Sequence, residues 1–543
     1  MSQVRNYRPS SGSQSELDRK AVVWLLIGGA VVCSSYLLAE FYLLGGELGF
    51  PLDDSWIHLQ FARNLAAGQG LSYDGGILVT GSTAPLWTAL LSGIFLLWGS
   101  PLWWAKLLGV GLYLTALHAT FVLARELGLS RRLSTLAGLL TLSTSWLVWS
   151  ALSGMEILLF TTLSLWGMIL HIRELRDAKR RPYSLAVFGM AILARPEGAL
   201  LLVLALIDRL VTSALSGKER LSSIRFDVSS ILRGLVAAAC VVAPVLIFYL
   251  VVGGSILPTT FAVKASSVRH WLPQMSYLYV VLGIFFVPQP LMTLLASGGV
   301  VSMLRRLDSS AGRGLLPGLW LIGLPLAYSL MSPSGARVLV GNAGRYYFPL
   351  FPVLIVMGVV GLERAVAGID GRRGAAGKRI AVGVAVALAL MPTLVHLGRG
   401  ALGYAQSVAD VQESDVRMAR WLGSRLSPQA LLAVNDIGAL KYLLPNPVID
   451  LAGIVNPEIQ RAIQGAYERK VPWQGEIRRI LAERRPDYLV VFPDWFPGML
   501  SEGSGFVAQH VLENPDNKTM GGDRLVLFST PWTRYPLESE SPR

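Results

Sequence analysis

The sequence predicts a polytopic α-helical membrane protein that ends in an α/β domain. Three observations indicate this. The 543 residues are 52% hydrophobic and only 15% charged, whereas soluble globular proteins carry about 25% charged residues. The run 21–39 contains no charged residue, and about 20 apolar residues span a bilayer. Similar runs recur until about residue 398, after which shorter helical and strand-like segments alternate.

The first apolar segment is expected to remain as a membrane span rather than to be cleaved as a signal peptide. It is longer than the apolar region of a secretory signal, and no A-x-A-like site follows it. Arg19 and Lys20 directly precede it, which places the N-terminus in the cytoplasm. The chain has only two cysteines, both in predicted spans, so we expect no disulfide framework and no zinc site.

Eleven spans are predicted within residues 1–398, with the C-terminal region outside. Basic residues gather in the loops that this arrangement makes cytoplasmic, as the positive-inside rule requires. The short segments 183–194 and 198–212 are interpreted as a hairpin, because one broken helix would put several basic loops outside. The spans lie near residues 21–45, 102–124, 133–151, 155–171, 183–194, 198–212, 232–252, 276–303, 315–331, 346–363 and 379–398.

The net charge of +13 does not indicate a nucleic-acid partner. Residues 399–543 carry 16 basic and 17 acidic side chains, so the positive excess lies in the membrane region. Membrane topology and anionic lipid headgroups explain a positive excess in that place.

The two outer segments are the first loop, residues 46–101, and a C-terminal cap domain, residues 399–543. In the first loop, helices near 55–67 and 82–98 are expected to lie in the membrane interface. In the cap, the pattern predicts an α/β fold. Its helices are expected near 414–426, 438–443 and 475–483, and its strands near 430–434, 448–451, 488–492 and 524–529.

Polar residues at the predicted outer face are the candidate site residues. Charges close to hydrocarbon are costly and are usually paired or functional. Structural explanations also exist: Asp54 or Ser55 can cap the following helix, with Asp53 near its positive end, and Glu197 can simply pair with Arg195. The candidates are Asp53, Asp54, His58, Glu156, Arg195, Glu197, Lys264, Arg269, Arg345 and Tyr346.

Together these residue types suit transfer of a phosphate-linked sugar. A carboxylate can take the proton of an acceptor hydroxyl, and arginine binds phosphate through two hydrogen bonds. Arg345 is expected to precede a helix whose backbone N–H groups add to an anion site. Because nucleotide sugars are made in the cytoplasm, transfer outside requires a sugar carried across on a lipid phosphate.

The segments "DDSWIHLQFARNLAAGQGLSYDGG" and "GSTAPLWTALL" resemble the first loop of membrane glycosyltransferases with the GT-C fold, most closely the mycobacterial terminal arabinofuranosyltransferases and their bacterial relatives. The segments "SGMEILLF", "LARPEGALLL", "GRYYFPLFP" and "NDIGALKYLLPNPVIDLAGIVNP" resemble further blocks of that group. The resemblance implies a catalytic role for Asp53 and Asp54, a donor-phosphate site at Arg345 and Tyr346, and Asp436 facing the cavity. Some GT-C enzymes also use a divalent metal, Mg²⁺ or Mn²⁺, which Asp53 and Asp54 would bind.

The resulting expectation is an enzyme of the bacterial inner membrane. It would transfer a sugar from a polyprenyl-phosphate donor to a glycan or lipid acceptor of the cell envelope. The sugar, the acceptor, the choice of base between Asp53 and Asp54, and the oligomeric state stay open, although the sequence slightly favours Asp53. The alternatives are a transporter or flippase of lipid-linked saccharide, for which polar residues at the membrane midplane are expected, and a non-catalytic scaffold.

Overall fold

The computed structural model describes residues 12–177, 180–215, 228–258, 275–305, 314–331, 342–368, 374–500 and 503–538. A bundle of helices forms most of the chain, and a mixed sheet with flanking helices forms the C-terminal region.

The first half of the bundle contains nine helices in the described residues up to 215. The long helices alternate with short ones, and two short helices lie in the first loop. They are α1 (Gly12–Leu43), α2 (Asp53–Ala66), α3 (Pro85–Ile94), α4 (Pro101–Glu126), α5 (Arg131–Leu142), α6 (Ser145–Leu152), α7 (Ile157–Arg176), α8 (Tyr183–Ala194) and α9 (Gly198–Leu215). The two predicted interfacial helices and the two short helices around Arg195 are therefore present as helices.

The second half of the bundle includes a 3₁₀ segment, Asn342–Leu350, that leads directly into a buried helix. Its described helices are α10 (Val228–Gly253), α11 (Met275–Phe286), α12 (Pro290–Arg305), α13 (Leu316–Met331), α14 (Phe351–Ala367) and α15 (Gly374–Val411). Helix α15 runs past the predicted domain boundary at 398–399, so that boundary remains a prediction.

Two predicted spans are broken in the structure. The segment 276–303 forms α11 and α12, which meet at an angle of 114°. Pro288 and Pro290 lie at this break, and proline cannot donate a backbone hydrogen bond to a helix. The segment 133–151 forms α5 and α6, bent by 58°, where the hydroxyls of Ser143 and Thr144 donate to the carbonyls of the preceding turn.

Six described helices are long and apolar enough to cross a membrane, or up to eight if each bent pair is one span. This establishes a helical protein with several membrane-compatible helices. The predicted count of eleven spans exceeds what helix length and composition support among the described residues.

The C-terminal region contains a five-stranded sheet of order β2–β1–β3–β5–β4. Strand β1 is parallel to both of its neighbours, β2 and β3. Strand β5 is antiparallel to both of its neighbours, β3 and β4. The strands are β1 (Leu432–Val434), β2 (Val448–Asp450), β3 (Tyr488–Val491), β4 (Val507–Glu513) and β5 (Arg524–Ser529), with helices α16 (Arg417–Gly423), α17 (Gly438–Leu443), α18 (Pro457–Arg469) and α19 (Trp473–Arg484). A π-helical turn, Gln412–Val416, joins α15 to α16.

The alternation of helix and strand in this region was correctly predicted, apart from α18 and β4. Strand β4 was not predicted from the sequence. It is an edge strand with mostly exposed side chains, and such strands lack a continuous apolar run. The sheet packs against the first loop, since Ile57 and Phe61 of α2 share an apolar cluster with Leu432 and Leu440. The first loop and the C-terminal region therefore form one packed unit.

Candidate active site

The acidic pair lies at the start of α2. This helix begins at Asp53 itself, and its N-cap, Leu52, makes no side-chain capping bond. Ser55 donates its hydroxyl to the carbonyl of Ser153, at 2.5 Å. The structural alternative, in which Asp54 or Ser55 caps the helix, differs from what the structure shows, because the helix begins at Asp53, Ser55 bonds Ser153 and Asp54 pairs with Arg345. Both carboxylates still favour the positive helix end.

Asp53 is held by the C-terminal region. One carboxylate oxygen accepts the backbone N–H of Gly438 at 2.6 Å, and the other accepts that of Ala439 at 2.7 Å. These N–H groups open α17, and a charged acceptor makes such hydrogen bonds strong. A Cβ on Gly438 would lie 2.1 Å from the backbone oxygen of Asp53. Only glycine therefore allows this approach.

Burial raises the pKa of Asp53 to about 7. The hydrogen bonds from Ala439 and Gly438 oppose this rise, while the charges of Asp54 and Asp450 add to it. A carboxyl group that ionises near neutral pH suits a general base. Each of its oxygens accepts one N–H group and retains a second lone pair.

Asp54 points to a different partner. Its carboxylate forms an ion pair with the guanidinium of Arg345. The Asp54 side chain is 34% exposed, whereas that of Arg345 is 12% exposed. Arg345 lies inside the 3₁₀ segment that runs into α14. Arg345 therefore lies near the start of a helical segment that continues into α14, and the contribution of backbone N–H groups to an anion site stays a prediction.

A buried ionic network lies behind Arg345. Arg195 bonds Glu156 at 2.7 Å and Glu197 at 2.6 Å. Tyr346 contacts the guanidinium carbons of Arg195 and Arg345, which lie 5.0 Å and 5.6 Å from its ring centroid. The predicted Arg195–Glu197 pair is thus present, and Tyr346 connects it to Arg345.

His58 extends this network toward α2. It is buried, and its Nε2 atom lies 3.2 Å from a carboxylate oxygen of Glu156. The candidate residue His58 is thus buried and makes a polar contact at the same time. This contact joins the helix that carries the acidic pair to the network around Arg195.

Asp436 is a half-buried third carboxyl group, in the loop after β1. The side-chain amide of Asn435 donates to it at 3.0 Å. Burial raises its pKa well above the ordinary value, and the charges of Asp53 and Asp54 raise it further, while the Asn435 hydrogen bond opposes them. Asp436 is therefore electrostatically coupled to the acidic pair.

The first loop also holds α17 through residues that the sequence did not indicate. Asp74 accepts from the Lys441 ammonium at 2.8 Å and from the backbone N–H of Val448 at 3.0 Å. The Tyr73 hydroxyl donates to the carbonyl of Ile437 at 2.7 Å. These contacts join positions more than 360 residues apart, so no local sequence pattern reveals them.

An apolar cavity of about 490 Å³ opens beside Gly344, the residue before Arg345. Its polar lining includes His396, whose Nδ1 has no hydrogen-bond partner in the described part of the chain. The cavity is lined by Trp146, Tyr279, Val280, Leu282, Gly283, Ile284, Phe286, Val287, Gly344, Phe348 and His396. Lys264 and Arg269, two further basic residues among the candidates, lie outside the described residues.

The site residues do not fit a metal centre as they are arranged. Both oxygens of Asp53 accept backbone N–H groups, and Asp54 pairs with Arg345. Among the described residues, no group of three or more His, Cys, Asp or Glu side chains is placed to hold a metal ion. We therefore derive no step through a metal.

Comparison with known proteins shows the fold. ArnT from Cupriavidus metallidurans, in its crystal structure bound to undecaprenyl phosphate, matches with a TM-score of 0.58 and 15% identity, over 93% of this chain and 98% of ArnT. The Archaeoglobus fulgidus oligosaccharyltransferase tethered to an acceptor peptide matches with a TM-score of 0.57 and 11% identity, over 92% of this chain and 74% of the other. These similarities of fold confirm the GT-C-like architecture that the sequence predicted.

Two further structures of the archaeal enzyme carry ligands. One is in complex with an inhibitory peptide and a dolichol-phosphate, with a TM-score of 0.54 and 12% identity, covering 95% of this chain and 75% of the other. Another is in complex with Zn and sulfate.

At the sequence level, residues 404–529 match a family described as Domain of unknown function (DUF8728). No curated protein sequence matches the chain.

Proposed function

We propose that the chain is a membrane glycosyltransferase, which moves a sugar from a polyprenyl-phosphate donor to a glycan or lipid acceptor at the outer face of the bacterial inner membrane. One observation carries the proposal. Arg345, which pairs with Asp54, directly follows Gly344 in the chain, Gly344 lines the apolar cavity, and Asp54 directly follows Asp53. A base, a phosphate-binding cation and a place for a lipid chain therefore adjoin one another.

Arg345 is the proposed phosphate ligand. A donor phosphate would take the place of Asp54 on its guanidinium, because arginine binds phosphate and carboxylate with similar geometry. The ring of Tyr346 lies near the guanidinium groups of both Arg195 and Arg345. The polyprenyl chain would enter the neighbouring cavity, and Lys264 and Arg269 remain proposed helpers. Complexes of ArnT and of the archaeal enzyme with polyprenyl phosphates support this donor class.

Asp53 is the proposed base. The oxygen of the acceptor hydroxyl bonds to the anomeric carbon, while the bond from that carbon to the phosphate oxygen breaks. Polyprenyl phosphate leaves with the bonding electrons, and Asp53 receives the hydroxyl proton. Its pKa of about 7 and its fixed orientation by two N–H groups suit this role. Asp54 keeps Arg345 in place before the donor arrives.

Membrane orientation and acceptor class belong to this proposal as well. The proposal has eleven spans, which follow from the apolar runs. It also has a cytoplasmic N-terminus and an extracytoplasmic region 399–543, which follow from the distribution of basic residues. Transfer of arabinofuranose is the narrowest form of the proposal, and the similarity of short sequence segments supports it. Mass spectrometry of envelope glycans with and without the protein would identify the sugar and its acceptor.

The decisive test replaces Asp53 and Asp54 separately with Asn in the purified protein, which is then supplied with polyprenyl-phosphate sugars and acceptor. Loss of a catalytic base typically costs about 10²–10⁴-fold in rate, so D53N is expected to fall within that range. The control is D516N, at an exposed position of the C-terminal region. Wild-type transfer by both D53N and D54N would contradict the assignment.

A further inference from the structure

Glu40, Lys106 and Tyr404 form a buried polar cluster that the proposed reaction does not use. They belong to α1, α4 and α15, three helices that are long and apolar enough to cross a membrane. Charged residues in such helices are rare, because their burial is costly, and they are usually paired and functional. The cluster therefore calls for an explanation beyond packing.

The three side chains of the cluster bond to one another. The Lys106 ammonium lies 3.0 Å and 2.9 Å from the two carboxylate oxygens of Glu40. The Tyr404 hydroxyl accepts a hydrogen bond from Lys106 and lies 3.0 Å from the Glu40 carboxylate. A buried ion pair is by itself weak evidence for stability, because apolar residues of similar volume often replace it without loss. The contacts that the cluster makes with the rest of the chain are therefore more informative.

On one side, the cluster holds the segment that leads into α2. A carboxylate oxygen of Glu40 accepts the backbone N–H of Gly49 at 3.0 Å, four residues before α2 begins. The Lys106 Nζ atom lies 5.6 Å from the ring centroid of Phe50. This buried ring packs edge-on against Trp56 of α2, with 5.6 Å between the ring centroids. The cluster thus contacts the approach to α2 directly, and α2 itself through one aromatic ring.

On the other side, the cluster holds the turn between α6 and α7. The carbonyl oxygen of Leu152 lies 3.2 Å from the Tyr404 hydroxyl and 3.5 Å from the Lys106 ammonium. The next carbonyl along the chain, that of Ser153, accepts the hydroxyl of Ser55 in the first turn of α2. The start of α2 is therefore fixed from the α6–α7 turn as well as from the segment before it.

We propose that Glu40, Lys106 and Tyr404 are positioning residues, which hold the first turn of α2 and with it the carboxylate of Asp53 in place. The N–H groups that bind this carboxylate belong to α17, so its geometry depends on where α2 begins relative to α17. The role in sugar transfer rests on the proposed function, whereas the anchoring of the first loop does not.

Hydrogen–deuterium exchange of the full-length protein in lipid nanodiscs, without substrate, tests the anchoring. The double variant E40M/K106M removes both charges and the acceptor of the Gly49 N–H group, so this amide is expected to exchange about tenfold faster or more. The double variant E40Q/K106M also removes both charges, but its new amide oxygen can still accept from Gly49. Exchange in E40Q/K106M is therefore expected to stay close to that of the wild type. Mass spectrometry of overlapping peptides around Gly49 measures both rates.

The matched control is E174M/R209M, which removes another buried ion pair of the bundle, between α7 and α9. The described contacts of Glu174 and Arg209 are with each other and with Ser184. This control is expected to keep the wild-type exchange at Gly49 and the wild-type kcat. Unchanged exchange at Gly49 in E40M/K106M, or equally fast exchange in E40Q/K106M, would overturn the anchoring.

Transfer assays test the positioning role separately. E40M/K106M is expected to lower kcat by about tenfold to 10²-fold, because a small misplacement of a catalytic group is costly. The KM for the donor should change little, because the described contacts of the cluster do not include Arg345. E40Q/K106M is expected to restore most of kcat. Equal losses of kcat in the two double variants, or a wild-type kcat in both, would reject the positioning role.

If E40M/K106M does not fold, Gly154→Ala provides a second test that changes no charge. Its Cβ would lie 2.7 Å from the Phe50 ring, so the ring should move, exchange around Gly49 should become faster and kcat should fall. Wild-type exchange and kcat in this variant would overturn the proposal. If the wild-type protein transferred no sugar while exchange behaved as expected, the proposed function would fail and the anchoring would stand.

Discussion

At the residue scale, the two adjacent aspartates have different partners and therefore different properties. Asp53 accepts two backbone N–H groups of the C-terminal region, and Asp54 pairs with Arg345. The sequence could indicate that one carboxylate was unexplained by helix capping. It could not indicate which one, because the partners lie about 290 and 385 residues away. The weak preference for Asp53 as base now rests on its pKa and its fixed orientation.

The raised pKa of Asp53 predicts a pH dependence of transfer. As a base it must be ionised, and burial raises its pKa from 3.8 to about 7. The kcat/KM for transfer should therefore fall by about tenfold per pH unit below pH 7, and it should be nearly constant just above. A pH–rate profile of the purified protein measures this. An acid limb near pH 4, the ordinary range of aspartate, would remove Asp53 from the role of base.

Gly438 predicts a second outcome at the residue scale. A Cβ at this position would meet the Asp53 backbone oxygen at 2.1 Å and its carboxylate at 2.6 Å. Gly438→Ala should therefore displace Asp53 and reduce transfer by about 10²-fold, a loss that misplacement of a catalytic group by about 1 Å can cause. Gly475→Ala is the control, because a Cβ there meets nothing within 4 Å. Equal activity of the two variants would show that α17 does not position Asp53.

At the element scale, the site is built by contacts between elements far apart in sequence. The presence of α2, α3, α8 and α9 could be predicted from apolar patterns and from the short helices around Pro196. Their mutual placement could not, since the Arg195 network joins the α8–α9 turn to α7 and, through Tyr328, to α13. A charged residue in a predicted span indicates that a partner is needed, but it does not identify the partner.

The Arg195 network predicts a stability effect. Replacing Arg195 with Met leaves Glu156 and Glu197 nearly buried, with side chains 7% and 9% exposed, and without their cation. Removing one partner from a buried ion pair costs about 3–5 kcal/mol, so the Arg195→Met variant should unfold at a clearly lower denaturant concentration. Arg479→Met breaks exposed pairs and should cost less than about 1 kcal/mol. Similar midpoints for both variants would show that the network adds little stability.

At the scale of the whole molecule, composition and apolar runs predicted a helical membrane protein, and the alternation of helical and strand-like segments predicted the C-terminal strands and helices. The apolar runs that mark spans are a local property, which explains this success. The number of spans was less predictable. Up to eight spans are counted when each bent pair is one span, whereas the predicted spans 183–194 and 315–331 form helices of only 12 and 16 residues. The contacts between the first loop and the C-terminal region could not be predicted, because they join residues far apart in the sequence.

The contact between the first loop and the C-terminal region also leads to a prediction about membrane orientation. The acidic pair and α17 are in direct contact, so the first loop and the C-terminal region must lie on the same side of the membrane. From the excess of basic residues on the opposite loops, we expect both to lie outside and the N-terminus to lie inside. In a variant without Cys33 and Cys240, a membrane-impermeant maleimide should label Gln464→Cys in α18 on intact cells. It should label Glu16→Cys, in the exposed first turns of α1, only after lysis. Labelling of both positions on intact cells would contradict the cytoplasmic location of the N-terminus. Labelling of Glu16→Cys alone would place the proposed site on the cytoplasmic face, where no lipid carrier would be needed.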